Sequence, residues 1–215
     1  MTVRQNTADT PIYHHKYHVI DTDATDFLNV VNDPSWATIR MTQAAWALVP
    51  LIRELGEDIR GVEVGVFLGI NSYMLLESCP NIAELIGVDP YREYQDWQNY
   101  ITQAHQDRVY QMLSANMPYI GPRFNHIKLS STEAAASLED GEYDFVFIDA
   151  DHSMKAVLSD LDSWWPKLRR GGIMAGHDSN MFSVNFAVTS WAKRHGIDPS
   201  EVQTTDNNAW WWRKE

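Results

Sequence analysis

Apolar positions fall in short runs, separated by polar stretches with helical spacing. Ser35 stands before a rough stripe of Ile39, Ala45, Trp46, Val49 and Ile52. That pattern predicts a helix from Trp36 to about Leu55, kinked or split at Pro50 and stopped at Gly56. The pattern then changes to an alternation. Strands are predicted over 61–66, 83–89, 124–129 and 143–149, followed by 173–177. Helices are predicted over 72–79, from about 102 to 117, over 153–168 (closed by Gly171-Gly172) and from about 184 to 195. Ser130-Ser131-Thr132-Glu133 reads as the start of a further helix with a capping acid, ending near Leu138. Residues 202–204 and 210–212 read as a closing pair of strands. The run Tyr143-Asp-Phe-Val-Phe-Ile-Asp149 is nearly all apolar, as expected of a strand covered on both faces. Strands alternating with helices of this length predict a doubly wound α/β sheet.

The 215 residues suffice for one domain with a full core. There is no repeat, low-complexity tract or Pro/Gly-rich linker, so residues 34–215 are read as one domain and the polar residues 1–33 as an N-terminal arm. The histidines of that arm, His14, His15 and His18, have no cysteine beside them and read as ordinary surface residues. The formal net charge of −12 argues against a general nucleic-acid binder, because phosphate recognition wants a basic face. No apolar run reaches the roughly 18 residues that would span a bilayer, and the first residues lack a signal-like stretch. The single cysteine, Cys79, fits a reducing cytoplasm. Nine Trp and nine Tyr read as core and interface residues, and Trp210 to Trp212 are compatible with a homo-oligomer contact.

In sheets of this type ligands bind at the carboxyl ends of the strands, where strand order reverses. The residues placed at those ends are Gly65 to Asn71, Asp89, Ser130 to Thr132, Asp149 to His152, and His177-Asp178. In Glu63-Val-Gly65-Val-Phe-Leu-Gly69 the glycines let the backbone turn tightly and approach a ligand closely. Their spacing is not the dinucleotide Gly-x-Gly-x-x-Gly, which delivers a pyrophosphate to a helix N-terminus. Asp89 ends the next strand, and its two carboxylate oxygens suit the hydroxyls of a ribose. Together the two motifs point to nucleoside binding.

Residues 61–193 resemble the class I S-adenosylmethionine-dependent methyltransferases, and in particular the small O-methyltransferase branch that includes the catechol, macrolide-sugar and aminocoumarin-sugar types. The resemblance is carried by Val62-Glu-Val-Gly-Val-Phe-Leu-Gly-Ile-Asn-Ser72 and Gly87-Val-Asp-Pro-Tyr91. It is most specific in Phe147-Ile-Asp-Ala-Asp-His-Ser153 and the run Trp164 to Asp178. It implies a Rossmann-like, seven-stranded, mostly parallel sheet with helices on both faces. It also implies S-adenosylmethionine as cofactor. Glu63, Gly65, Phe67 and Gly69 would surround the methionine part, and Asn71 would hold its carboxylate. Asp89 would bind the ribose, Ser131 and Thr132 would flank the adenine, and Asp149 would face the methyl group.

The same resemblance implies a divalent metal, Mg²⁺ or Mn²⁺, at Asp149, His177 and Asp178. His177 stands where the metal-dependent relatives usually carry an oxygen donor, and imidazole suits transition metals better than Mg²⁺. The other reading of His177 and Asp178 is a hydrogen-bonded pair shaping the acceptor pocket. Methyl transfer to oxygen needs a proton removed from a hydroxyl, and His152 is preferred as base over Asp151. The leading expectation is transfer to a hydroxyl oxygen of a small molecule, such as a sugar or glycan-linked group. The alternatives are a nucleotide- or nicotinamide-binding oxidoreductase, or a non-catalytic binding protein on the same fold. The aromatic segment 91–100 is expected as a lid or as a surface loop.

Overall fold

The computed structural model describes residues 4–6, 12–14, 18–20, 31–95 and 99–215. Within the N-terminal arm lie three short strands: β1 (Arg4–Asn6), β2 (Ile12–His14) and β3 (His18–Ile20). β2 and β3 pair antiparallel, setting His14 opposite His18 in register. His15, and the side chains of His14 and His18, lie outside the described residues.

The helix expected from 36 to 55 is broken into pieces. α1 (Trp36–Ile39) runs into 3₁₀ turns at Arg40–Thr42 and Trp46–Leu48, and then α2 (Val49–Arg53) begins with Pro50 in its first turn. Pro50 is therefore not the breaking point. The break falls at residues 43–45, which keep 3₁₀ bonds (the Trp46 N–H donates to the Gln43 carbonyl and the Leu48 N–H to the Ala45 carbonyl, both at 3.0 Å) while side chains from elsewhere take other backbone groups. The Ala45 N–H donates to Asn71 Oδ1, and the Gln43 and Ala44 carbonyls accept from Asn207 Nδ2.

The main sheet contains β4 (Ile59–Val64), β5 (Ile82–Val88), β8 (Phe124–Ile127), β9 (Tyr143–Ile148), β10 (Leu168–Gly176), β11 (Gln203–Thr204) and β12 (Trp210–Arg213). Its spatial order is β11-β12-β10-β9-β4-β5-β8, with parallel pairing from β8 to β10 and antiparallel pairing on either side of β12. This is the expected seven-stranded, mostly parallel sheet. In β9, Phe145 and Phe147 enter one core and Val146 and Ile148 the other. The period-two alternation of a strand, with apolar residues on both sides, demands cover on both faces.

On the first face lie α2, α3 (Ile70–Ser78) and α4 (Gln103–Ile120). On the second lie α5 (Ser131–Ala136), α6 (Met154–Trp164) and α7 (Phe182–Arg194), around the buried Trp164, Trp191, Trp210 and Trp212. Most of the tryptophan surplus is thus core.

Three boundaries differ from expectation. α4 runs through Pro118 to Ile120 although the proline forfeits the N–H bond to the Ser114 carbonyl; buried Ile120 and the Gly121 N–H, which donates to the Met117 carbonyl at 3.1 Å, anchor that turn. α6 stops at Trp164, just ahead of Pro166. β10 begins already at Leu168, and Gly171-Gly172 sit inside it at a register shift, with Gly171 at φ +79°. The segment 91–100 contributes β6 (Tyr94–Gln95) and part of β7 (Asn99–Ile101), which pair with each other and, through β7, in parallel with β1. Residues 96–98 lie outside the described residues. Among the described residues no helix is long and apolar enough to cross a membrane.

Candidate active site

After β4 the chain continues to β5 on one side. After β8 it crosses back to β9 on the other side of β4. The switch point therefore lies between the ends of β4 and β9. There Gly65 turns at φ +92°, and a Cβ on it would stand 2.0 Å from the Asp149 carbonyl oxygen. Only glycine lets the two strand ends come this close. Beside them is a cavity of about 170 Å³, bounded by Glu63, Gly65, Phe67 and Asn71, by Asp149 and His177, and by Gln43 and Ala44.

Glu63 is buried at the end of β4. Asn71 Nδ2 donates to its Oε1 at 2.7 Å, and the Ser72 hydroxyl donates to Oε2. Burial pushes this carboxyl up to about 7 against those two hydrogen bonds, and the charges of Asp149 and Asp89 add to the rise. Asn71 Oδ1 accepts the Ala45 N–H at 3.1 Å, so its amide is engaged at both ends.

Asp89 staples the Gly-rich loop. Its Oδ2 accepts from the Val66 and Phe67 N–H groups, both at 3.1 Å, and its Oδ1 from the Tyr91 N–H at 3.0 Å. Burial nevertheless raises its pKa. Phe67 and Tyr91 sit at φ 52° and 45°, a left-handed conformation that is costly for aromatic residues. The shared carboxylate, and the Tyr91 hydroxyl donating to the Phe67 carbonyl at 2.5 Å, hold both residues there. Gly69, at φ +80°, is itself left-handed at the start of α3. A Cβ on it would stand 2.5 Å from Ile120 Cδ1, and Asn116 of the same helix donates to the Leu68 carbonyl at 3.3 Å.

At the neighbouring strand end Ser130 caps α5 in a reciprocal box with Glu133. The Ser131 hydroxyl turns inward: it accepts from Trp164 Nε1 at 2.8 Å and donates to buried Asp160. Burial pushes Asp160 up to about 6 against that hydrogen bond. Thr132 is exposed at the rim.

Beyond Gly65 four ionisable groups converge from the ends of β9 and β10. His152 Nε2 stands 2.7 Å from Asp178 Oδ2 and 3.7 Å from Asp149 Oδ1. His177 Nδ1 stands 3.4 Å from Asp178 and 3.8 Å from Asp149. Asp149 and Asp178 raise His152 to about 10. For His177 burial works the other way, but Asp178 and Asp149 outweigh it and the pKa rises. The two imidazoles, His152 first, hold Asp178 far below the usual carboxylate range. Asp178 itself lies at φ 58°. His152, expected as a neutral base, is therefore an imidazolium at neutral pH in this arrangement. Asp151 is exposed, and its Oδ1 accepts the Ser153 N–H at 2.8 Å, which places it at the start of α6 rather than in the cluster.

The structure thus gathers Glu63, Gly65, Phe67, Asn71, Asp149 and His177 about one cavity, with His152 and Asp178 adjoining it, while Asp89 is tied to the Gly-rich loop that bounds it. Ser72, Tyr91, Gln43 and Asn207 were not singled out from the sequence. Tyr91 and Ser72 adjoin the motifs that were, so their position was the available signal. Asn207 reaches His177 with its carbonyl oxygen, 2.8 Å from Nε2, a contact between residues 30 apart that no local pattern shows.

A sequence profile described as Methyltransferase domain matches residues 62–179, more than half of the chain. Uncharacterized protein R132 of Acanthamoeba polyphaga mimivirus is 28% identical over 127 residues, 57% of this chain and 52% of that protein. Uncharacterized protein y4gI of Sinorhizobium fredii is 29% identical over 97 residues, 44% of this chain and 10% of that protein. The chain therefore spans about half of one curated relative and a tenth of the other. A SAM-dependent methyltransferase from Aquifex aeolicus superposes with a TM-score of 0.53 at 14% identity, covering 88% of this chain and 96% of that one. MycE methyltransferase of the mycinamycin biosynthetic pathway, in complex with Mg and SAH, superposes with a TM-score of 0.51 at 16% identity, covering 90% and 49%.

Proposed function

The chain belongs to the Methyltransferase domain family as a class I S-adenosylmethionine-dependent enzyme, and we propose that it transfers the methyl group to a hydroxyl oxygen of a small molecule. The observation that carries this reading is the junction at Asp149. That residue lines the cavity bounded by Glu63, Gly65 and Asn71, and it also belongs to the cluster with His152, His177 and Asp178. A hydroxyl acceptor, unlike a neutral amine, needs a close proton acceptor as the methyl group arrives, and the cluster offers one.

The cavity fits the cofactor. Gly65 leaves it free of a Cβ, the buried Glu63 carboxyl lies beside it, and Asp89, whose Oδ2 accepts two N–H groups and Oδ1 one, keeps one acceptor position on Oδ1 for a ribose hydroxyl. S-Adenosylmethionine supplies an electrophilic methyl group on a sulfonium. Phe67, 40% exposed at the mouth, presents an aromatic face to a cation. On this reading exposed Thr132 would take the adenine side, while the Ser131 hydroxyl, committed to Trp164 and Asp160, is not available to it.

His152 already carries its proton between Asp149 and Asp178. The proton of an acceptor hydroxyl therefore passes to Asp149, the carboxylate facing the cavity. His152 and Asp178 then stabilise the protonated network. The orientation of oxygen, methyl and sulfur in line supplies most of the rate.

The donor set also fits a divalent ion. Among the described residues, one ligand atom from each of Asp149, His152 and Asp178 lies within 4.8 Å of the others. The third ligand expected from the sequence, His177, is not in that group but adjoins it, with its Nδ1 3.4 Å from Asp178 and its Nε2–H donating to the Asn207 carbonyl at 2.8 Å. Asp149 and Asp178, with a neutral imidazole beside them, would hold Mg²⁺ or Mn²⁺, which would supply Lewis acidity toward the acceptor oxygen. That MycE was crystallised with Mg supports this assignment.

The test is calorimetric binding of S-adenosylhomocysteine, followed by its formation from S-adenosylmethionine across a panel of sugar hydroxyl and phenol acceptors with Mg²⁺, Mn²⁺ or EDTA. Binding together with turnover only on hydroxyl acceptors is expected. Turnover confined to amine or carbon acceptors would overturn the oxygen assignment.

A further inference from the structure

We propose that Asn207 is a positioning residue for this reaction, holding the Gln43–Ala44 wall of the donor cavity at a set distance from the His177 imidazole. The inference rests on the methyltransferase reading of the cavity given above.

Asn207 sits in the tight connection between β11 and β12. That turn is closed upon itself. The Thr205 N–H donates to the Ala209 carbonyl at 3.0 Å, the Asn208 N–H to the Thr205 carbonyl at 3.0 Å, and the Ala209 N–H to the Thr205 hydroxyl at 3.1 Å. It is also tied to the acceptor-side loop, because the Ser179 N–H donates to the Asn208 carbonyl at 2.9 Å. From this fixed point Asn207 reaches in two directions. Its carbonyl oxygen is 2.8 Å from His177 Nε2. Its Nδ2 donates to the Gln43 carbonyl at 3.2 Å and the Ala44 carbonyl at 3.3 Å, and its Oδ1 accepts the Thr205 hydroxyl at 2.6 Å.

Those two carbonyls lie where the N-terminal helix breaks into 3₁₀ turns: the Gln43 carbonyl accepts the Trp46 N–H at 3.0 Å as well as Asn207 Nδ2, and the Ala44 carbonyl accepts from Asn207 Nδ2. On the other side of the same break, the Ala45 N–H is taken by Asn71, which also holds Glu63. The wall is therefore pinned from the donor loop by Asn71 and from the acceptor loop by Asn207. A carboxamide matches this site, because its amino group donates to the two carbonyls while its oxygen accepts the Thr205 hydroxyl. An Asp at 207 would turn an anionic oxygen toward two carbonyls. A shift of about 1 Å between donor and acceptor can cost about a hundredfold in an in-line transfer, so the link matters to rate as well as to binding.

The experiment measures S-adenosylhomocysteine affinity by calorimetry, with the thermal midpoint recorded for each variant. Wild-type protein is the control. Asn207→Asp and Asn207→Ala are expected to bind about tenfold more weakly or worse, as the loss of two hydrogen bonds predicts. Thr205→Val removes the hydroxyl that orients the amide and should weaken binding in the same direction, while Thr205→Ser restores it. That rescue would not follow from a general loss of stability. If the Asn207 variants do not fold, the Thr205 pair decides. Wild-type affinity in a folded Asn207→Asp, or in Thr205→Val, overturns the proposal. Failure of the wild type itself to bind overturns the cavity reading instead, and this inference with it.

Discussion

Gly65 admits no side chain. At φ +92°, with a notional Cβ 2.0 Å from the Asp149 carbonyl oxygen, it combines a conformation hostile to L-residues with contact against rigid backbone. Gly65→Ala should lower stability on the order of 3 kcal/mol, measurable by urea unfolding, and a variant within error of wild type would show that the strand ends can part freely. Asp89 is subtler. The sequence marks it for a ribose, yet its carboxylate also holds Phe67 and Tyr91 in left-handed conformations. Asp89→Ala should therefore weaken S-adenosylhomocysteine binding by more than about tenfold, through lost sugar contacts and a loosened loop together. Calorimetry checks this, and unchanged affinity would remove Asp89 from the site. Both residues were legible because each sits at a strand end with a chemistry that few other residues supply. The charge on His152 was not, because it depends on Asp149 and on Asp178 together, and Asp178 reaches it, at 2.7 Å, only in the folded chain.

Among the elements, α6 carries a cost that the sequence does not show. Asp160 is buried against Ser131 and its pKa is raised from 3.8 to about 6. Below pH 4 it is protonated in both folded and unfolded chains and has no effect. Between about 4 and 6 the unfolded chain ionises first, so stability falls as pH rises, and above 6 the full penalty remains. Asp160→Asn keeps an acceptor for the Ser131 hydroxyl and removes the charge. It should match wild type near pH 4 and exceed it by on the order of 2 kcal/mol at pH 8, read from denaturation midpoints at the two pH values. A gain equal at both would locate the effect elsewhere. The cap of α5 was plain in Ser130 and Glu133, a local signature. The small sheet of β1, β6 and β7 was not, because Arg4 pairs with Asn99 across most of the N-terminal half of the chain.

At the scale of the whole molecule, a ligand that binds only the folded chain raises its stability by mass action. If Asp149, His177 and Asp178 hold a divalent ion, millimolar Mn²⁺ or Mg²⁺ should raise the thermal midpoint of the wild type and leave Asp178→Asn unmoved. No rise with either ion would leave the cluster as a set of ion pairs. The two-faced sheet explains why one cluster can serve both purposes. It places the ends of β4, β9 and β10 side by side, so that the donor cavity and the ionisable cluster share Asp149.

The order of strands and helices, the Gly-rich loop and the polar residues at the strand ends were written locally, in periodicity and turn chemistry within a few residues of each other. The folded chain decided the break at residues 43–45, the inward turn of Ser131, the proton on His152 and the bridge from Asn207 to Ala44, 163 residues away. Each of these depends on hydrogen bonds or charges between distant segments, whose strength is set by burial and a few tenths of an ångström, and neither is encoded in the spacing of residues along a strand or helix.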